Sequence, residues 1–191
     1  MRPLLLTLAL DDASQEHFDA LRARHFPAGR NHLAAHVTMF HALPGEQEER
    51  WRQDVGQAAG RPPLDVAVTG LRVFGNATVY LLESAALLQL RAGLATRWLD
   101  VLTAQDRQGF TPHLTVQNKV DAVTARALLG DLSASFEPRR VVGTALLLWR
   151  YLGGPWQLVE RCPFSSARHS LRADGMPCSD SGTFQGGPRG Q

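Results

Sequence analysis

His113-Leu114-Thr115-Val116 and His36-Val37-Thr38-Met39 carry one pattern at two places in the chain. Each sets a His and a Thr two residues apart in a short apolar, β-branched run. Side chains alternate faces along a β-strand, so residues two apart point the same way. Each segment therefore offers one imidazole and one hydroxyl side by side on a stiff backbone. Two such strands set against each other would line one cleft with two imidazoles and two hydroxyls. The rest of the chain reads as the scaffold that places those strands opposite each other.

The chain has 191 residues, 44% of them hydrophobic and 20% charged. That is a globular balance, sized for one domain or two small lobes sharing a core. A net charge of +2 does not by itself argue for nucleic acid. The cationic side chains are Arg except for Lys119. Arg suits phosphate contacts, but G- and C-rich coding explains the bias equally well. Cys162 and Cys178 make neither a disulfide framework nor a CxxC pair, so free thiols and a reducing compartment are expected. The apolar run Leu4–Leu10 is short, meets Asp11-Asp12 at once and lacks a small-x-small cleavage site. It reads as a buried first strand rather than a leader. No stretch approaches the length of a membrane span. The expected setting is cytoplasmic, without membrane association or an obligate protein partner.

Periodicity divides the chain into alternating strands and helices. A strand over Leu4–Leu10 precedes a helix from about Ala13 to Phe26, with Asp11 or Asp12 as its cap and Pro27-Ala28-Gly29 as its stop. The first motif strand runs from about Ala35 to Phe40. A charged helix over Glu46–Ala59 carries Trp51 and Val55. Leu64–Phe74 alternates as a long strand, and Gly75-Asn76 reads as a tight hairpin turn to Ala77–Glu83. A Leu-rich helix follows from Ala85 to Leu102, with Leu87, Leu90, Leu94, Trp98 and Leu102 on one side. The second motif strand starts at His113 and runs to about Lys119. A helix beginning at Asp121 or Thr124 ends near Ser133. Strands over Arg139–Trp149 and from Trp156 to about Phe164 close the pattern, joined by Gly153-Gly154-Pro155.

The order strand–helix–motif strand–helix–strand thus occurs twice with similar offsets. This predicts a duplicated chain with pseudo-repeat lobes of roughly 1–76 and 77–164 within a single domain over 1–164. A pseudo-twofold axis relating the lobes would bring the two motif strands near each other. From 165 to 191 Ser, Gly, Pro and Arg dominate, which predicts a disordered tail. Arg168, His169 and Arg172 there suit RNA, but a solvated tail accounts for them more simply.

Paired His-x-Thr motifs, one per half of a duplicated chain, resemble the two-histidine phosphoesterases. Within them the pattern is most similar to the 2′-5′ RNA ligases, whose members are also RNA 2′,3′-cyclic phosphodiesterases. The matching segments are His36-Val37-Thr38-Met39-Phe40 and His113-Leu114-Thr115-Val116-Gln117. The resemblance implies an α+β, bilobal fold of duplicated strand-helix-strand lobes, with antiparallel sheets facing a central cleft. It implies His36 and His113 as general acid and base, and Thr38 and Thr115 as phosphate-holding hydroxyls. It implies RNA ends or small cyclic-phosphate nucleotides as substrates, and no metal or other cofactor. Many relatives carry an Arg shortly after a His-x-Thr. Here Met39-Phe40-His41 and Val116-Gln117-Asn118-Lys119 follow, so Lys119 or an Arg from elsewhere would supply the cation.

The chemistry suits these residue types. Opening a cyclic phosphodiester needs a water deprotonated on one side and a leaving oxygen protonated on the other, and imidazoles serve both ends near neutrality. The sequence leans towards His36 as acid and His113 as base, though the near-symmetry of the halves gives little to choose between them. Phe40, Phe110 and Tyr80 lie close enough to stack on a base, but core packing is the simpler expectation for each. His32, His36 and His41 do not share one strand face, and no Cys or carboxylate completes a metal set. The competing reading from another class is a non-catalytic RNA-binding module on the same fold.

Overall fold

The computed structural model describes residues 2–165, so most of the expected tail, Cys178 included, lies outside the described residues. The elements are β1 (Leu4–Leu10), α1 (Asp12–His25), β2 (Val37–Leu43), α2 (Glu48–Ala58), β3 (Leu64–Phe74), β4 (Ala77–Glu83), α3 (Ala85–Arg97), β5 (His113–Gln117), α4 (Ala122–Ala134), β6 (Arg139–Tyr151) and β7 (Trp156–Pro163). Helix starts follow side-chain capping of otherwise orphaned amides. Asp11 accepts from the Ser14 amide, Ser84 from Leu87, and Asp121 from Val123 and Thr124. Two hairpin tips need a left-handed residue and have glycine there, Gly75 at φ 58° and Gly153 at φ 97°.

All strands join one antiparallel, seven-stranded sheet in the order β2-β1-β6-β3-β4-β5, with β7 added to β6. The mixed α and antiparallel β class agrees with the sequence reading. The repeats interlock: β6 of the second half pairs along β1 (Leu6↔Leu148), while β3 of the first half pairs along β4 (Leu71↔Tyr80). At the centre β3 and β6 pair with each other (Val66↔Val141). Gly143 sits at this junction opposite both Leu10 and Leu64. A Cβ there would stand 3.0 Å from Leu8 Cδ1, so a larger residue needs the Leu8 side chain to give by a few tenths of an ångström.

The sheet curls until its outermost strands, β2 and β5, lie beside each other in space. The core fills the concavity under the helices. Phe18 meets Tyr80 at 5.3 Å, Phe40 meets Trp98 at 4.8 Å, and Trp51 meets Trp98 at 5.1 Å between ring centroids. Both indoles reach polar partners at the rim, Trp51 the Pro44 carbonyl and Trp98 the Asp54 carboxylate. The Leu-rich stripe of α3 is buried as its spacing predicts, through Leu87, Leu90, Leu94, Trp98 and Leu102. The helix itself ends at Arg97, and turns carry Leu102 inward.

Two buried arginines hold the curl. Arg22 of α1 donates to the Thr115 carbonyl of β5 at 2.7 Å, the Leu33 carbonyl at 3.2 Å and the Asn31 side chain at 3.0 Å. Arg91 of α3 donates to the Met39 carbonyl of β2 at 2.9 Å and to the Asp106 carbonyl, and lies 3.9 Å from the Phe40 ring centre. Each helix thus fastens the motif strand of the opposite half. Among the described residues no helix is long and apolar enough to cross a membrane.

Arg22→Met keeps the apolar stem but strands three acceptors, so a loss of roughly 2–3 kcal/mol is expected from urea denaturation. Trp98→Ala should cost about 3–5 kcal/mol. Leu88→Ala, at an exposed site, should stay within about 0.5 kcal/mol.

Candidate active site

Both motifs adopt the alternation that strand geometry dictates. Val37, Met39, Leu114 and Val116 are buried, while His36, Thr38, His113 and Thr115 are only half-buried on the other face. His36 immediately precedes β2 and His113 opens β5. Each ring folds back on its own strand. His36 Nδ1 lies 2.7 Å from the Ala34 carbonyl and His113 Nδ1 lies 2.9 Å from the Thr111 carbonyl. A carbonyl oxygen only accepts, so Nδ1 carries the proton in both rings, and Nε2 is left for other chemistry.

An aromatic side chain from a hairpin tip backs each ring. Trp156, at the start of β7, stands 4.8 Å from His36. Phe74, at the end of β3, stands edge-on 5.1 Å from His113. Trp149 lies 6.1 Å from Trp156 and donates its indole N–H to Thr7 at 2.9 Å, fixing the wall behind His36.

The environments of the two rings differ. Burial is the main reason the His36 imidazole is pulled from 6.5 down to about 4. The Ala34 carbonyl opposes that fall, while the positive charges of Arg22 and His113 add to it. That His113 acts on His36 at all, together with the adjacency of β2 and β5, places the two motifs in one neighbourhood.

Thr38 of the first motif and His113 of the second line the same cavity of about 330 Å³, with Phe74, His41 and the segment Gln105–Thr111 as its walls. His36 lines a different, more apolar hollow of about 180 Å³ with Trp149 and Trp156, which shares no lining residue with the first. Thr115 lines neither; its carbonyl is the anchor for Arg22. A larger hollow of about 470 Å³ between α1 and α4 holds none of the four motif residues. It offers no matched pair of imidazoles, so it is not the candidate.

Of the residues weighed for stacking, Phe40 and Tyr80 are core, and Phe110 packs partly against the core while facing the cavity. Lys119 is exposed and lines neither cavity of the motifs, and Arg22 and Arg91 are spent on backbone carbonyls. No group of three or more His, Cys, Asp or Glu side chains is placed to hold a metal ion among the described residues. Sequence reasoning missed Arg22, Arg91, Asp106, Trp156 and Phe74. For the arginines a signal existed: Arg22 follows Phe18 by four residues and Arg91 follows Leu87 by four, so each sits on the buried stripe of its helix.

Comparison with known proteins identifies the family and the fold. Residues 10–155 match the family described as the 2′-5′ RNA ligase superfamily. A crystal structure from Thermus thermophilus superposes with a TM-score of 0.62 at 15% identity, covering 88% of this chain and 100% of that one. A structure described only as a phosphoesterase gives 0.58 at 19% identity, covering 86% and 98%. Escherichia coli LigT complexed with 3′-AMP gives 0.56 at 16% identity, also covering 86% and 98%. At such identities these likenesses speak for the fold. No curated protein matches the chain. The family match spans most of the sequence, including both His-x-Thr strands and the interlocked sheet between them, and the chain belongs to the 2′-5′ RNA ligase superfamily.

Proposed function

We propose that the protein is a metal-independent phosphodiesterase that opens the 2′,3′-cyclic phosphate of RNA ends or nucleotides to a 2′-phosphate. The single observation that carries this reading is the matched pair of imidazoles, each with Nδ1 tied to the carbonyl two residues upstream and Nε2 left free. Two nitrogens of defined tautomer, one from each half, meet the need for one proton acceptor and one proton donor. Superfamily membership supports a phosphoesterase or ligase chemistry, and LigT binds adenine nucleotides in its solved complexes.

The pull of burial on His36 favours it as the base, the reverse of the assignment to which the sequence leans. Held neutral down to about pH 4, its Nε2 takes a proton from the attacking water. The water oxygen bonds to phosphorus as the P–O3′ bond breaks. His113 Nε2 gives its proton to the departing 3′ oxygen, leaving a 2′-phosphomonoester. The Thr38 hydroxyl, which lines the cavity with His113, holds a non-bridging oxygen, on which negative charge grows in the transition state. With a ribose 5′-hydroxyl in place of water, the same transfers form a 2′-5′ linkage, the reaction in the family's name. The RNA-binding module keeps the fold but gives no reason for two rings to be fixed in one tautomer.

Incubation with 2′,3′-cyclic AMP, with product analysis, tests the reading. Turnover should survive EDTA and fall by on the order of 100- to 10,000-fold in His36→Ala and in His113→Ala. Binding without turnover, unchanged by either substitution, would leave only the RNA-binding module. Thr38→Val should lower kcat by about a hundredfold, read from initial rates. In a profile of kcat/KM against pH, the acidic limb should lie near 4 rather than 6.5, since His36 is the group whose protonation removes the base. The same depressed value makes the fold lose stability as pH falls from 6.5 towards 4. His36→Asn should lessen that slope in urea titrations.

A further inference from the structure

The cavity shared by Thr38 and His113 contains four ionisable side chains: His41, Arg91, Asp106 and His113. Arg91 is consumed by the carbonyls of Met39 and Asp106. Asp106 is 2% exposed and its oxygens are filled. They accept the His41 amide at 2.9 Å, the Ala42 amide at 3.1 Å, His41 Nδ1–H at 3.0 Å and the Thr103 hydroxyl at 3.3 Å. Burial alone would raise the Asp106 carboxyl; these bonds outweigh it and hold the group below the ordinary carboxylate value. His113 is engaged in proton transfer in the reading above. His41 remains. Its Nδ1 is fixed on Asp106, its side chain is 43% exposed, and its Nε2 has no partner among the described residues.

We propose that His41, oriented by Asp106, binds a second phosphate of the substrate: the 5′-phosphate of the nucleotide whose cyclic phosphate is opened. This rests on the phosphodiesterase reading and narrows its substrate class to nucleotides bearing phosphates on both sides of the ribose, as at an RNA terminus. A bulge between Thr38 and Phe40, which pair with Thr7 and Leu6, returns His41 to the face of Thr38 about two ladder steps on, roughly 7 Å along the strand, a span that a ribose with a phosphate on either side fits. The cavity of about 330 Å³ has room for one nucleotide. Protonated, the ring donates from both nitrogens, Nδ1–H to Asp106 and Nε2–H to a phosphate oxygen. Those are charge-assisted bonds on both sides. Among the described residues no other ionisable side chain lining this cavity, His113 apart, has a nitrogen left free for a phosphate. Asp106 is a positioning residue: it fixes the ring and the amides of His41 and Ala42 together.

Calorimetry on the full chain with adenosine 2′-monophosphate and adenosine 2′,5′-bisphosphate tests this without turnover. The wild-type protein should bind the bisphosphate about tenfold tighter or more. His41→Gln, a change at the surface, should abolish that preference while leaving monophosphate affinity within about twofold. Asp106→Asn should weaken the preference and spare the monophosphate. Equal affinities in the wild type, no binding of either nucleotide, or a preference that survives His41→Gln would overturn the proposal. Because binding is read apart from catalysis, a protein that binds as expected yet opens no cyclic phosphate would refute the phosphodiesterase reading alone. Turnover of cyclic AMP without a bisphosphate preference would refute this one alone.

Discussion

Two guanidinium groups in the interior set the geometry on which the site depends. Arg22 and Arg91 each leave their own half and hydrogen-bond the backbone of the other half's motif strand, at Thr115 and Met39. Neither has a carboxylate as its hydrogen-bond partner. The carboxylates of Asp19 and Asp106 act on Arg22 and Arg91 only through space; a buried charge is costly unless its donors are filled, and here carbonyls, with the Asn31 amide oxygen, fill them. Because the arginines bond backbone rather than side chain, they fix where β2 and β5 run and leave the outward-facing imidazoles and hydroxyls untouched. A sheet bent until its edges meet would otherwise relax, since β2 and β5 are not paired to each other.

Near-symmetric sequence does not give a symmetric site. Both histidines make the same bond to a carbonyl two residues back. Around His36, however, the wall is built from two indoles, Trp149 and Trp156, whereas His113 faces a cavity with amide, imidazole and hydroxyl groups. Burial holds the His36 imidazole below its ordinary value, and in the mechanism proposed above this makes it the base. The repeated motif offers the same atoms twice, and the unlike walls give them different surroundings.

Most of the elements were legible because local rules set them. The strands Leu4–Leu10, Leu64–Phe74 and Ala77–Glu83 agree residue for residue with the expected spans, and Gly75 makes the turn read from Gly75-Asn76. Motif strands and helices shifted by a few residues at their ends, where fraying and capping rather than periodicity decide. What the sequence hid was non-local. Equal offsets between repeats say nothing about which strand pairs with which, so the exchange of β3 and β6 was invisible. Asp106 meets His41 across 65 residues, and Trp156 reaches His36 only through the register of the β6–β7 hairpin. The buried arginines violated the apolar stripe of their helices, which is where a reading by hydrophobic pattern goes wrong.

The strand exchange has a temporal side. Asp11, at the end of β1, bonds Val142 across 131 residues, so β1 is made long before its central neighbour. At ordinary ribosomal speed the interval is roughly 7 to 26 seconds. Throughout it β1 offers one open edge of unpaired amides and carbonyls, the kind of template that invites aggregation. Vectorial synthesis therefore leaves that edge of β1 uncovered until β6 has been made.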